Sequence, residues 1–250
     1  MIMKRNKRLA VFIGLALGMM SFIPATKKLT IYLIGDSTLA VKSASAFPET
    51  GWGMPFANFF SKDVFVDNRA KNGRSTKTFI AENLWVPVLS GLQKGDYVLI
   101  QFGHNDEVKT KVSYTPEADF VKNLLKFVEE SRAKGAIPVL ITPVARRSFD
   151  ADGKVKETHQ VYTALVRELA RSADVPLIDL DLKSQALLQQ YGPEQSKLLF
   201  NHLEPGEHPN YPDGKKDDTH FNELGAREMA QLVLKEMRAL KLPVLTYVVK

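Results

Sequence analysis

The sequence predicts a single-domain α/β protein: a parallel sheet of about five strands with helices on both faces. Three observations predict it. Short, almost continuously apolar runs alternate with longer segments of helical periodicity, the pattern of strands covered on both faces and joined by crossover helices. A length of 250 residues suits one sizeable core. With 44% hydrophobic and 25% charged residues, the composition is that of an ordinary folded domain, which sets disorder aside.

The chain opens on a leader. Lys4, Arg5, Lys7 and Arg8 precede an apolar run from Leu9 to Pro24, and the small residue Ala25 follows. That order predicts a secretory signal over residues 1–25, a domain over 28–245, and export to the periplasm or outside the cell. The run falls short of the roughly 20 apolar residues that a spanning helix needs. An uncleaved anchor is the alternative, because a clean A-x-A site is missing. The chain has no cysteine, which excludes lipoprotein anchoring, disulfides, thiolate zinc sites and Cys nucleophiles. Four cations of the formal +6 charge sit in the leader, where there is no Asp or Glu. The remainder is close to neutral and offers no electrostatic case for nucleic acid.

Strands are predicted at Thr30 to Ile34, Val64 to Val66, Tyr97 to Phe102, Ile137 to Ile141 and Pro176 to Leu180, all rich in β-branched or aromatic residues. Helices are predicted over Pro116 to Lys134, Gln160 to Ala173 and Asn222 to Leu240. The first has Thr115 as cap and Pro116 at the first turn, and it stops at Gly135. Asn201 to Thr219 is polar and rich in Pro and Gly, and reads as a long loop. Loops of that length in a compact domain are often functional, and ligands of open α/β sheets gather beyond the carboxyl ends of the strands.

Four short motifs lie at strand ends or in that loop. Gly35-Asp36-Ser37-Thr38-Leu39 follows the first strand. Its serine suits a nucleophile, or equally a helix cap, because a hydroxyl attacks only with a base and oxyanion donors at hand. In Asn68 to Ser75, the missing side chain of Gly73 lets its N–H approach a ligand closely; an ordinary turn is the alternative. Gly103-His104-Asn105-Asp106 offers the Asn105 amide to an oxyanion, or a plain turn. Asp217-Asp218-Thr219-His220 closes the late loop. An acid three residues before a histidine can turn back to bond Nδ1–H and free Nε2 to deprotonate Ser37. Asp217 fits that role, Asp218 is the alternative, and a solvated acidic loop is the plain reading.

Taken together, the four motifs resemble in order and spacing the blocks of the SGNH (GDSL-type) hydrolase superfamily. The resemblance implies a flavodoxin-like three-layer α/β/α sandwich with Ser37 as nucleophile, His220 as base and Asp217 as its partner. Gly73 and Asn105 would be oxyanion donors. The G-x-S-x-G elbow of the α/β-hydrolase fold is absent. Thr142 to Asp150, Gly153, Thr158-His159 and Pro205 to Gly214 are similar to the bacterial rhamnogalacturonan acetylesterases, over residues 30 to about 240. That family implies an acetylated pectin polysaccharide or oligosaccharide as substrate, with no metal or organic cofactor. Gln160 stands where the family carries a glycine after Thr-His, which weakens any role for His159; a surface residue or cap is the other reading.

For substrate contacts, Arg146 and Arg147 suit a galacturonate carboxylate, or else answer Asp150 and Asp152. His202 and His208 in the late loop suit sugar contacts, and Trp52 suits ring stacking or the core. The competing functions are another sugar O-acetylesterase, a lysophospholipase or thioesterase on the same scaffold, and a non-catalytic carbohydrate-binding protein.

Overall fold

Alternate residues of a strand face opposite ways, and in this chain both sets are apolar. The computed structural model describes residues 28–249; the leader read above as an export signal lies outside the described residues. In chain order the elements are β1 (Leu29–Gly35), α1 (Gly53–Phe56), β2 (Val64–Asn68), α2 (Thr76–Ala81), α3 (Trp85–Gly91), β3 (Tyr97–Gln101) and α4 (Glu117–Ala133). They continue with β4 (Ile137–Ile141), α5 (Gln160–Ser172), β5 (Leu177–Ile178), α6 (Leu180–Gln195), β6 (Phe200–Leu203), β7 (Lys215–Phe221) and α7 (Glu223–Ala239).

Five strands form one sheet in the order β2-β1-β3-β4-β5, and every pair in it is parallel. Ile31, Leu33, Leu99, Val139 and Ile141 pack on one side against α1, α6 and α7, with Trp52, Phe56, Leu188, Met229 and Val233. Tyr32, Ile34, Val98, Ile100 and Leu140 pack on the other against α2 to α5, with Phe79, Trp85, Phe120, Phe127 and Val166. Each buried side chain of this size contributes about 1.5–3 kcal/mol over leaving it in water. The result is the three-layer sandwich expected from the sequence.

Several local expectations are corrected. The fifth strand is only Leu177–Ile178, because Asp179 turns to cap α6, its carboxylate accepting from Leu182 N–H at 3.3 Å. The helices α1, α2, α3 and α6 were not expected; each is short or interrupted, with Pro87 in α3 and Gly192-Pro193 in α6. Thr115 does not cap α4. Pro116 holds that position, and the Thr115 hydroxyl donates to Ser113 O instead. The largest correction concerns Asn201 to Thr219, whose two ends pair as an antiparallel ribbon of strands β6 and β7, so that only residues 204–214 remain a loop.

Candidate active site

The strand order reverses between β1 and β3, and their carboxyl ends form the crevice that such a sheet reserves for ligands. Ser37 leaves β1 two residues after its last member. Gly35 must be a glycine there: a Cβ would stand 2.3 Å from Gln101 O of the neighbouring strand. The turn beyond it is locked by Asp36, whose Oδ1 accepts from Thr38 N–H at 2.9 Å and Thr38 Oγ1–H at 2.8 Å. The Thr38 hydroxyl in turn accepts from Gln101 Nε2 at 2.6 Å, and Gln101 Oε1 accepts from Trp52 Nε1–H at 2.8 Å. All four of these side chains are buried. Trp52 is 0% exposed, so it stacks on no sugar. It braces the turn that carries Ser37 from below.

The imidazole arrives from the ribbon. Ser37 Oγ and His220 Nε2 are 2.9 Å apart, across 183 residues of chain. His220 Nδ1 meets Asp217 Oδ2 at 2.9 Å, while Asp217 Oδ1 accepts the backbone N–H groups of Thr219 and His220, each at 2.9 Å. An ionised carboxylate has no proton to give, so Nδ1 carries the hydrogen and Nε2 is left to accept from Ser37. Burial alone would raise the Asp217 carboxyl. The hydrogen bond and charge of His220 and the two backbone donors outweigh it and hold the group well below the usual carboxylate range. Asp218, the alternative partner, points elsewhere and pairs with Arg147 at 2.7 Å and His202 at 2.8 Å.

The two candidate oxyanion loops converge on the same end of the sheet. Lys71 N–H donates to Gly35 O at 3.1 Å, which holds the loop after β2 beside the Ser37 turn. Gly73 has φ +77°, a conformation that costs glycine little and other residues much. Asn105 Nδ2 donates one hydrogen to Arg74 O at 3.1 Å, which staples the loop after β3 to the Gly73 loop and leaves the second amide hydrogen. Among the described residues no acceptor takes the Ser37 or the Gly73 N–H. Behind Asn105, Asp106 receives Thr76 N–H at 2.9 Å and Thr76 Oγ1–H at 2.6 Å. Its burial drives the carboxyl up to about 7 against those bonds.

The arginines are clamps. Arg147 is committed at each of its three nitrogens, to Ser196 Oγ, Asp218 and Pro193 O, and its side chain is largely buried by those contacts. Arg146 donates to Thr219 Oγ1 at 2.8 Å, His104 O and Glu107. Neither answers Asp150 or Asp152, the alternative read from sequence. His159 is not a surface residue; it holds the N-cap position of α5, with its carbonyl rather than its ring accepting from the helix, Thr163 N–H at 2.9 Å. It is buried, with Nδ1 3.0 Å from both oxygens of Glu107. His104 packs on it with ring centroids 4.2 Å apart, and burial holds His104 well below the ordinary imidazole range. His202 lines a cleft of about 510 Å³ beside the ribbon with Lys197, Glu204, Lys215 and Lys216, a cleft that does not include Ser37. His208 sits at the ribbon's tip, where its Nδ1 accepts from Asn210 N–H at 3.2 Å.

Two polar residues escaped the sequence reading because nothing in their spacing marks them. Lys42 and Glu49 lie in the segment between β1 and α1, and their side chains form an ion pair at 2.6 Å. One oxygen of Glu49 lies within 4.8 Å of an Asp217 oxygen and of a His220 ring nitrogen.

A hydroxyl, an imidazole and a carboxylate in hydrogen-bonded series can generate an alkoxide and return the proton to a leaving group. This array at the switch point of a 2-1-3-4-5 sheet has the architecture of a carboxylic ester hydrolase of the SGNH class. The chain belongs to the GDSL-like lipase/acylhydrolase family, whose model matches residues 33–228. It is 43% identical over 223 residues to the rhamnogalacturonan acetylesterase RhgT of Bacillus subtilis (strain 168), covering 89% of this chain and 95% of that one. Among solved structures, the YxiM protein of Bacillus subtilis superposes with a TM-score of 0.74 at 28% identity, over 86% of this chain and 58% of that longer one. Axe2, an acetylxylan esterase of Geobacillus stearothermophilus, shares the fold with a TM-score of 0.59 at 16% identity, over 85% of this chain and 96% of its own.

Proposed function

We propose that this chain removes acetyl groups from rhamnogalacturonan, the backbone of pectin, through an acetyl-enzyme on Ser37. One observation carries the reading: a 2.9 Å contact between Ser37 Oγ and His220 Nε2, in a chain 43% identical to a rhamnogalacturonan acetylesterase over nearly its whole length. Ser37 attacks the acetyl carbonyl while His220 takes its proton, and Asp217 holds the imidazole in the tautomer this requires and stabilises the imidazolium. Charge gathers on the carbonyl oxygen, which accepts from the Ser37 and Gly73 N–H groups and the free hydrogen of the Asn105 amide. His220 then protonates the departing sugar oxygen, and water repeats the sequence on the acetyl-enzyme. The polar sequence of Asn201 to Thr219, the segment that leads to His220, favours a carbohydrate over a lipid acyl chain. The basic leader and the apolar run behind it favour export as the route to such a polymer.

Acetate release from acetylated rhamnogalacturonan, acetylated xylan and a medium-chain acyl ester tests the reading. Rhamnogalacturonan should turn over fastest with wild-type protein, and Ser37→Ala should release essentially none from any of the three. Faster turnover of the acyl ester would overturn the carbohydrate assignment. Failure of folded wild-type protein to label at Ser37 with a fluorophosphonate would favour a binding module instead. Edman sequencing of protein recovered outside the cytoplasm checks export, with cleavage near Ala25 expected.

A further inference from the structure

A buried ammonium is expensive unless it is paired and well bonded, and one lies beside this site. The Lys42 side chain is 0% exposed. Its Nζ sits 2.6 Å from Glu49 Oε1 and donates to Asn72 Oδ1 at 2.9 Å. Asn72 immediately precedes Gly73. Lys42 therefore spans two things: the loop offering the Gly73 N–H, and a second carboxylate within 4.8 Å of a His220 ring nitrogen. The segment carrying both charges is sewn to the ribbon. Thr50 N–H donates to Phe221 O at 2.8 Å, Tyr211 O–H to Ala46 O at 2.8 Å, and Asn210 Nδ2 to Ala44 O and Phe47 O.

We propose that Lys42 and Glu49 are positioning residues for ester hydrolysis, Lys42 fixing the Gly73 loop through Asn72 and the pair holding a balanced charge beside the His220 imidazole. The proposal rests on the reading in which His220 is the base for Ser37. During attack the imidazole becomes a cation. A bare second carboxylate would hold that proton too firmly for its return to the leaving oxygen. A bare ammonium would oppose its uptake. The ion pair does neither. The other groups facing His220 are Asp217 and, 3.8 Å from Asp217, Lys215 on β7. Asp36 and Ser37 face it from the turn after β1, and His104 from the loop after β3. Each keeps its place in the variants below.

The test is the pH profile of kcat/KM on a small acetyl ester such as 4-nitrophenyl acetate. Glu49→Gln strands the lysine's positive charge, so the acid limb should move to lower pH by roughly half to one unit. Lys42→Met strands the carboxylate and should move the limb to higher pH by a similar amount. It should also lower kcat about tenfold with KM near wild type, because the tie to Asn72 is lost. The double variant, with neither charge, should return the limb to the wild-type position while kcat stays low. A merely structural role moves neither limb, and certainly not in opposite directions. Limbs that coincide with wild type, or that shift the same way in both single variants, would overturn the proposal. If Lys42→Met fails to fold, an isosteric Glu49→Gln with wild-type kcat and limb overturns it alone. A wild-type protein showing no Ser37-dependent hydrolysis would instead remove the reading of the site, a separate failure.

Discussion

The two halves of the Ser37–His220 pair are held in very different ways. Ser37 sits on a turn braced by Asp36, Thr38, Gln101 and Trp52, all buried, and continuous with β1, an inner strand of the sheet. His220 sits on β7, whose sequence Lys215–Phe221 is polar on both faces and fully buried only at Phe221. The ribbon's apolar anchors are confined to its base, where Phe200 and Phe221, 5.0 Å apart by ring centroids, join the core on that side of the sheet. Beyond that it relies on single hydrogen bonds from distant segments, such as Thr50 N–H to Phe221 O, Arg147 to Asp218, Arg146 to Thr219 and Tyr211 to Ala46. One half is placed by the fold itself, the other by a set of bonds each worth about 1 kcal/mol. The base should therefore lose its place well before the molecule unfolds.

The sharpest way to probe that difference is at the base's own partner. Asp217→Asn should lower kcat about 10³–10⁴-fold by favouring the wrong tautomer, while circular dichroism and the melting temperature stay near wild type. A collapse of the whole fold would erase the distinction drawn above. On the sheet side, Asn105→Ala should cost about 10²–10³ in kcat, with KM for a small acetyl ester little changed. Arg147→Ala should lower activity several-fold and speed amide hydrogen exchange in β6 and β7, leaving β1 and β3 protected. Equal loss of protection in both regions would break the comparison.

The smallest effect is thermal. Burial lifts Asp106 to about 7 in the folded protein, against roughly 3.9 in the unfolded chain. Between those values the folded state holds a proton that the unfolded state has released, so stability falls as pH rises through the window and levels off above it. In Asp106→Asn that decline should flatten by ~1–3 kcal/mol, read as the difference in unfolding free energy between pH 4 and pH 7.5.

The same contrast explains what could be read from the sequence. Strands buried on both faces announce themselves by apolar runs, so β1, β3 and β4 were legible almost to the residue. Asn222 to Leu240 was legible by helical period, and the cap is there: Asn222 Oδ1 accepts Gly225 N–H at 3.0 Å. The ribbon was not legible. Lys-Lys-Asp-Asp-Thr-His has no alternation of apolar and polar residues, because its pairing is stabilised by neighbours distant in sequence rather than by a buried face. Trp52 was ambiguous for the opposite reason, since a large aromatic suits a core and a sugar platform equally until its indole N–H is seen to be spent on Gln101. The motifs holding Ser37, Gly73, Asn105 and His220 stood out because each is compact, and the fold brings Ser37 and His220 into contact. Lys42 and Glu49 were not, because their partners Asn72 and His220 lie far along the chain.

The placement of His220 near the end of β7, just ahead of α7, bears on how the protein is made. Synthesis delivers Ser37 early and the histidine 183 residues later. Only after that do Met229, Ala230, Val233 and Met237 of α7 emerge to close one face of the sheet. Until β7 is in place, the hydroxyl at the end of β1 has no imidazole to accept its proton. A polypeptide cut before β7 would thus keep Ser37 on its braced turn but lose both His220 and Asp217.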